Sequence, residues 1–100
     1  MAFEVRFRDE SLEKLEKDSQ LDAAYQAGIG RTFRKRMRMI RGAKDERDFY
    51  ALKSLHFEKL QGKREHQRSM KLNDQWRLVL EITEGNTNRI IWIVAIEDYH

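Results

Sequence analysis

Seven consecutive apolar residues, Ile90-Ile91-Trp92-Ile93-Val94-Ala95-Ile96, constrain this chain more than any other feature. The run is far shorter than the ~20 residues of a membrane helix. An uninterrupted apolar stretch of this length reads as a central strand covered on both faces. The rest of the chain must therefore provide its neighbours and its cover.

The neighbours are legible. Met70 and Leu72 alternate with Ser69 and Lys71, and Trp76, Leu78, Leu80 and Ile82 alternate with Arg77, Val79 and Glu81. That period of two marks two half-buried strands. Phe3, Val5 and Phe7 alternate with Glu4, Arg6 and Arg8 in the same way and give a strand near the N-terminus. Turn residues at Gly62 to His66, Asn73-Asp74 and Glu84 to Asn88 separate the later strands. Trp76 and Trp92 share the parity of their strands' apolar residues, which assigns both to packing.

Between the first strand and these runs the period changes to three or four. Asp9 followed by Ser11, with Leu12 and Leu15 behind them, predicts a capped helix ending near Asp18-Ser19. Leu21, Tyr25, Ile29, Phe33, Met37 and Ile40 then line one face of a longer helix that ends near Gly42. Gly28 and Gly30 fall inside it, each costing roughly 1 kcal/mol against alanine, and mark a kink or a close packing contact. A charged bridge, Lys44 to Asp48, leads to the strands. The 100 residues are too few for two cores, so residues 1–100 are expected to form one domain. Its class is α+β: an N-terminal strand and two or three helices packed on a mainly antiparallel four- or five-stranded sheet.

Charge narrows the function. The chain carries +3 overall with a pI near 9.3, which favours a polyanionic partner. Six of the eleven residues from Arg31 to Arg41 are basic, while acid concentrates at Glu10 to Asp22 and Lys44 to Asp48. That basic cluster is either the solvated side of a helix or a dock for ribosomal RNA or an acidic antitoxin segment. With no cysteine there is neither a disulfide nor a thiolate metal site. Met1 to Arg6 has no apolar leader, so a cytoplasmic protein without a membrane segment is expected.

His56, His66 and His100 are far apart and lack metal-ligand spacing, so no metal and no other cofactor is expected. His66, in a turn beside Glu65, reads as a surface residue. No glycine-rich phosphate loop and no nucleophile elbow is present. What remains is polar: His56, Lys59, Lys63, Arg64, Lys71, Arg77 and the ending Asp98-Tyr99-His100. Cleaving RNA through its own 2′-hydroxyl needs a proton acceptor, a proton donor and cations for the phosphorane. Histidine, tyrosine, lysine and arginine meet all three needs without a metal.

The stretches Leu55-His56-Phe57-Glu58-Lys59-Leu60-Gln61-Gly62-Lys63-Arg64 and Ser69-Met70-Lys71-Leu72-Asn73-Asp74-Gln75-Trp76-Arg77-Leu78, with the ending Asp98-Tyr99-His100, together resemble the HigB branch of the RelE toxin superfamily. The resemblance implies a compact helix-backed sheet whose opposite surface meets messenger RNA in the ribosomal A site. It also implies 2′-hydroxyl attack and a cyclic phosphate product. By motif, His56, Asp98, Tyr99 and His100 form the acid and base group, and Lys59 and Arg77 hold the scissile phosphate. Lys63, Arg64, Arg68 and Lys71 add positive charge for RNA.

Three positions depart from the family pattern. His66 stands where glycine is frequent, Arg68 where an aromatic often precedes the serine, and Lys63 where acid is common, which leaves codon preference open. As partners, the resemblance implies a HigA-like helix-turn-helix antitoxin, through which the complex would bind operator DNA, and the mRNA-loaded ribosome. Two other readings share the fold or the charge: a non-catalytic gyrase inhibitor of the ParE type, and a plain RNA-binding module.

Overall fold

In the computed structural model, which describes residues 3–99, the sheet is built from β1 (Glu4–Phe7), β2 (Glu58–Lys59), β3 (Gln67–Lys71), β4 (Trp76–Glu84) and β5 (Arg89–Asp98). Across the sheet the order is β1-β5-β4-β3-β2, so the apolar run of β5 has a neighbour on each edge. β1 lies parallel to β5, with Val5 beside Ile91 and Phe7 beside Ile93, and every other pairing is antiparallel. Three α-helices fall among the described residues, α1 (Glu10–Lys17), α2 (Ile29–Gly42) and α3 (Arg47–Ala51). The expected strand, helices and mainly antiparallel sheet are all present. Its fifth strand is the two-residue edge Glu58–Lys59.

Local chemistry explains the helix ends. The Asp9 carboxylate accepts from the Ser11 backbone N–H at 2.9 Å and caps α1, whose Leu12 and Leu15 are buried. In α2, Phe33, Met37 and Ile40 are fully buried at helical spacing against Met70, Leu78 and Leu80 of the sheet. The single helix expected from Leu21 to Ile40 is broken, however. Ser19–Ala24 forms a separate 3-10 turn, and α2 starts only at Ile29.

Two interactions cause the break. Gly28 takes φ 87°, a left-handed conformation that a side chain resists. The Asp22 carboxylate receives both terminal nitrogens of Arg34 at 2.8 Å and folds the preceding segment back onto α2. Asp22 then presses on Gly30 so closely that a Cβ there would collide with its carboxylate. The charged bridge also carries structure. Asp45 accepts from the Arg47 N–H and Asp48 from the Lys44 N–H, both at 2.9 Å, and this turn starts α3.

The expectation of cover on both faces of β5 is corrected. Ile91 and Ile93 enter the core with α2, but Trp92 pairs in register with Arg6 and Glu81 and lies only partly buried on the opposite face. Farther along, Leu80 faces Ile93 while Val79 faces Ala95, so a bulge leaves Val94 unmatched and brings Ile96 onto the core side opposite Leu78. In an all-apolar run the parity carries no information. The charged neighbours on β1 and β4 decide which side stays open. Trp76 does pack against the core. Among the described residues no helix is long and apolar enough to cross a membrane.

Candidate active site

Strand register gathers the charged residues on the open face. Lys71 on β3 lies opposite Arg77 on β4, and Arg77 lies opposite Glu97 on β5. Tyr99, two residues beyond Glu97, keeps the same parity, and its backbone N–H donates to the Gln75 carbonyl at 2.8 Å. The Arg77 guanidinium stands 5.5 Å from the Tyr99 ring centre, a cation–π distance. Arg64 reaches in from the turn Gly62–Arg64, donating to Glu97 at 2.7 Å and to Gln67 at 2.9 Å.

Glu97 therefore holds two arginines, Arg64 at 2.7 Å and Arg77 at 3.4 Å. The hydrogen bond and charge of Arg64, aided by Arg77, depress the carboxyl below its ordinary value of 4.5 against an opposing contribution from burial. A depressed acid contributes stability above its unfolded value and loses it as pH falls through the folded one. We expect the melting temperature to fall as the pH drops below the ordinary carboxyl value of 4.5, with a shallower fall in Glu97→Gln. Equal slopes for the two proteins would show that the network contributes nothing.

His56 arrives by a different route. It closes the 3-10 turn Lys53–Leu55 in a left-handed conformation, φ 47° and ψ 49°. Leu55 and Phe57 on either side are buried, so the core clamps the backbone and turns the imidazole to solvent. A non-glycine residue held there stores about 1–3 kcal/mol of strain. His56, Glu58, Lys71, Asp74 and Tyr99 line one cleft of about 290 Å³. Glu58, Lys59, Arg64 and Arg77 contribute to its neighbour of about 320 Å³. Glu58 borders both, so the two make one groove.

Tyr99 is partly buried in this groove, and burial followed by the Glu58 charge raises its hydroxyl above the ordinary 10.0 despite Lys71 and Arg77. It thus stays protonated at neutral pH and can donate. The Arg77 Nε is buried with no acceptor among the described residues, an unmatched donor that an anion would satisfy. His56→Gly isolates the imidazole, because relieving the strain offsets the cost of glycine in the unfolded chain. We expect a melting temperature near that of the parent and, under an RNA-cleaving role for this groove, a cleavage rate about 10²-fold lower. Full activity would remove His56 from the chemistry.

Not every expected residue joins the groove. Asp98 pairs with Trp76 and takes the helix-side parity, opposite to Tyr99, with Gln75 donating to its carboxylate at 3.0 Å. Arg68 also has helix-side parity, opposite Leu80, and its Nε lies 3.6 Å from Glu46. Both placements follow from alternation along a strand. Lys63 is exposed in the turn beside Arg64, and Lys59 stands on the edge strand at the rim. His100 lies outside the described residues.

The sequence reading missed Glu58 and Glu97. Glu97 had a signal, since it sits two residues before Tyr99 in a strand. Glu58 had none, because its two-residue strand shows no period. The Arg31 to Arg41 cluster divides. Arg34 pairs with Asp22, Arg41 pairs with Glu16 at 2.7 Å and Arg36 donates to the Lys71 carbonyl at 3.1 Å. Arg31, Lys35 and Arg38 form the exposed stripe. Among the described residues no three His, Asp or Glu side chains converge as metal ligands.

Comparison with known proteins gives a consistent picture. A family model described as the RelE-like toxin of type II toxin-antitoxin system HigB matches residues 5–100. The fold is similar to that of a YoeB/ParE toxin from Agrobacterium tumefaciens, with TM-score 0.64, 10% identity, and coverage of 98% of this chain and 100% of that one. It is similar also to YafQ from E. coli strain BL21(DE3), with TM-score 0.62, 10% identity, and coverage of 97% and 93%. At such identity these likenesses concern the fold. A search of curated protein sequences returned no match.

Proposed function

Because the chain belongs to the HigB-like family of RelE-like type II toxins, we propose that it is a ribosome-dependent, metal-independent endoribonuclease that cuts messenger RNA in the A site. One observation carries this reading: His56, Arg64, Lys71, Arg77 and Tyr99, from five separate segments, line one open-face groove. A groove holding cations beside proton donors and acceptors suits an RNA phosphate.

In the proposed reaction the RNA 2′-oxygen attacks phosphorus while its proton passes to a base in the groove. The P–O5′ bond breaks, the departing oxygen takes a proton, and a 2′,3′-cyclic phosphate remains. Arg77 and Lys71 balance the charge added at the phosphorane, with Arg64 and Lys59 at the edge. Tyr99, kept protonated, suits the donor role, and proton transfer falls to His56 or to His100, the next residue in the sequence after Tyr99. Asp98, on the helix side, acts through the backbone end that carries Tyr99.

Membership of a type II family brings a cognate antitoxin as partner. We propose a HigA-like helix-turn-helix protein that suppresses cleavage and through which the complex binds its operator. The decisive experiment is a ribosome-programmed cleavage assay with mapped ends, run also with a chelator under conditions that keep ribosomes assembled without free magnesium. Cleavage with cyclic phosphate ends, insensitive to the chelator, is expected. Intact RNA together with inhibited gyrase would instead establish the ParE-type reading.

A further inference from the structure

The open face carries a second arrangement that the groove chemistry does not use. It lies four residues along β4 from Arg77, a distance of about 13 Å at strand rise. Trp92 sits there with Arg6 and Glu81 as its register partners, and its indole N–H donates to the Thr83 hydroxyl at 3.0 Å, which fixes the ring. The Arg8 guanidinium carbon is 4.2 Å from the ring centre, a stacking distance, and that of Arg6 is 5.6 Å away.

The Arg8 plane is held on several sides. Its Nε donates to Glu81 at 3.1 Å, and Gln67 donates to the other oxygen of that carboxylate at 2.9 Å. The Arg8 backbone N–H donates to the Ile93 carbonyl at 2.9 Å. Even so, the Arg8 side chain is 47% exposed, whereas Glu81 beneath it is only 13% exposed. A guanidinium fixed on an indole, with solvent access beside it, presents a flat cationic surface. Single-stranded RNA bases stack on such aromatic and guanidinium planes.

We propose that the Trp92–Arg8 stack is a nucleobase platform, and that Arg6 meets the backbone of a single-stranded RNA running along the open face from the groove. This rests on the reading of the groove as the place of RNA cleavage. The platform extends the RNA contact beyond the scissile phosphate and, because every base has a π face, holds RNA without choosing its sequence. A clip that merely pins β1 to the sheet would use the same two side chains. It would show no dependence on a base.

The test measures binding of a short single-stranded RNA, made uncleavable by 2′-deoxy substitution, without ribosomes. An abasic nucleotide is moved through each position in turn. With the unmodified protein we expect affinity to drop about 10-fold at one or two positions and to stay level elsewhere. Arg8→Lys keeps the charge but lacks the plane, so it should bind fully abasic RNA as the parent does and give a level profile. A level profile for the parent, or the same drop in Arg8→Lys, overturns the proposal. The parent's scan needs no substitution, so misfolding of the variant does not obscure it. Programmed ribosomes separate the two readings: a stepped profile without cleavage refutes the nuclease and keeps the platform, and cleavage with a level profile does the reverse.

Discussion

Replacing Arg77 by alanine is expected to lower cleavage on programmed ribosomes by about 10²- to 10³-fold, the range found when a preorganised donor to a developing oxyanion is removed. Arg77 is central in the open-face row, between Lys71 and Glu97 in register, and its side chain is only 17% exposed. Glu97 and the Tyr99 ring fix the guanidinium before RNA arrives, so little reorganisation is needed when charge develops. The substitution does not strand Glu97, because Arg64 still donates to it at 2.7 Å. The stability cost should therefore be about 1 kcal/mol, the scale of a partly exposed pair, seen as a shift of several degrees in melting temperature. Arg77→Lys keeps the charge but loses the planar fork and the stack on Tyr99, so it should fall between parent and alanine. Unchanged turnover of Arg77→Ala at saturating ribosomes would make Arg77 a structural residue.

Deleting Tyr99 and His100 should have a larger effect still, about 10³-fold or more, because it removes two groups able to transfer protons, each worth 10² or more. Chain ends usually tolerate loss. This segment is anchored: β5 is an interior strand between β1 and β4, Ile91 and Ile93 are fully buried, and the Tyr99 N–H adds a last bond to Gln75. Among the described contacts the deletion removes that bond and the Tyr99 ring beside Arg77 while sparing the buried core of β5, so folding and antitoxin binding are expected to persist. Removing residues 1–5 is the N-terminal control. It strips half of β1 and the Phe3–Phe49 stack at 6.0 Å, so it should lower the melting temperature while sparing groove chemistry in the protein that remains folded. A C-terminal deletion with full nuclease activity would move the chemistry to His56 and the cations alone.

The fold was legible where the period was clean. Alternation gave β1, β3 and β4, and the Asp9-Ser11 pair gave the start of α1, because these patterns depend on residues near each other in the chain. Reading failed where distant residues competed with local preference. The apolar spacing from Leu21 to Ile40 is helical, yet the Arg34–Asp22 pair and the left-handed Gly28 break it. Trp92 looked like core because its whole strand is apolar, and only Arg6 and Glu81 on neighbouring strands, with Arg8 just past β1, place it on the open face.

The candidate site divides in the same way. By itself the sequence determined which side chains were available for RNA chemistry and, through the alternation of a strand, that Arg77 and Lys71 would point away from the apolar face. Tertiary structure decided which of them meet. Register set Lys71, Arg77 and Glu97 in one row, a clamped left-handed turn delivered His56, and the parity of β5 separated Asp98 from Tyr99. The physical reason is that alternation assigns a residue to a face using its neighbours in the chain, whereas register and bulges depend on strands up to tens of residues away. Those pairings exist only once the core has closed.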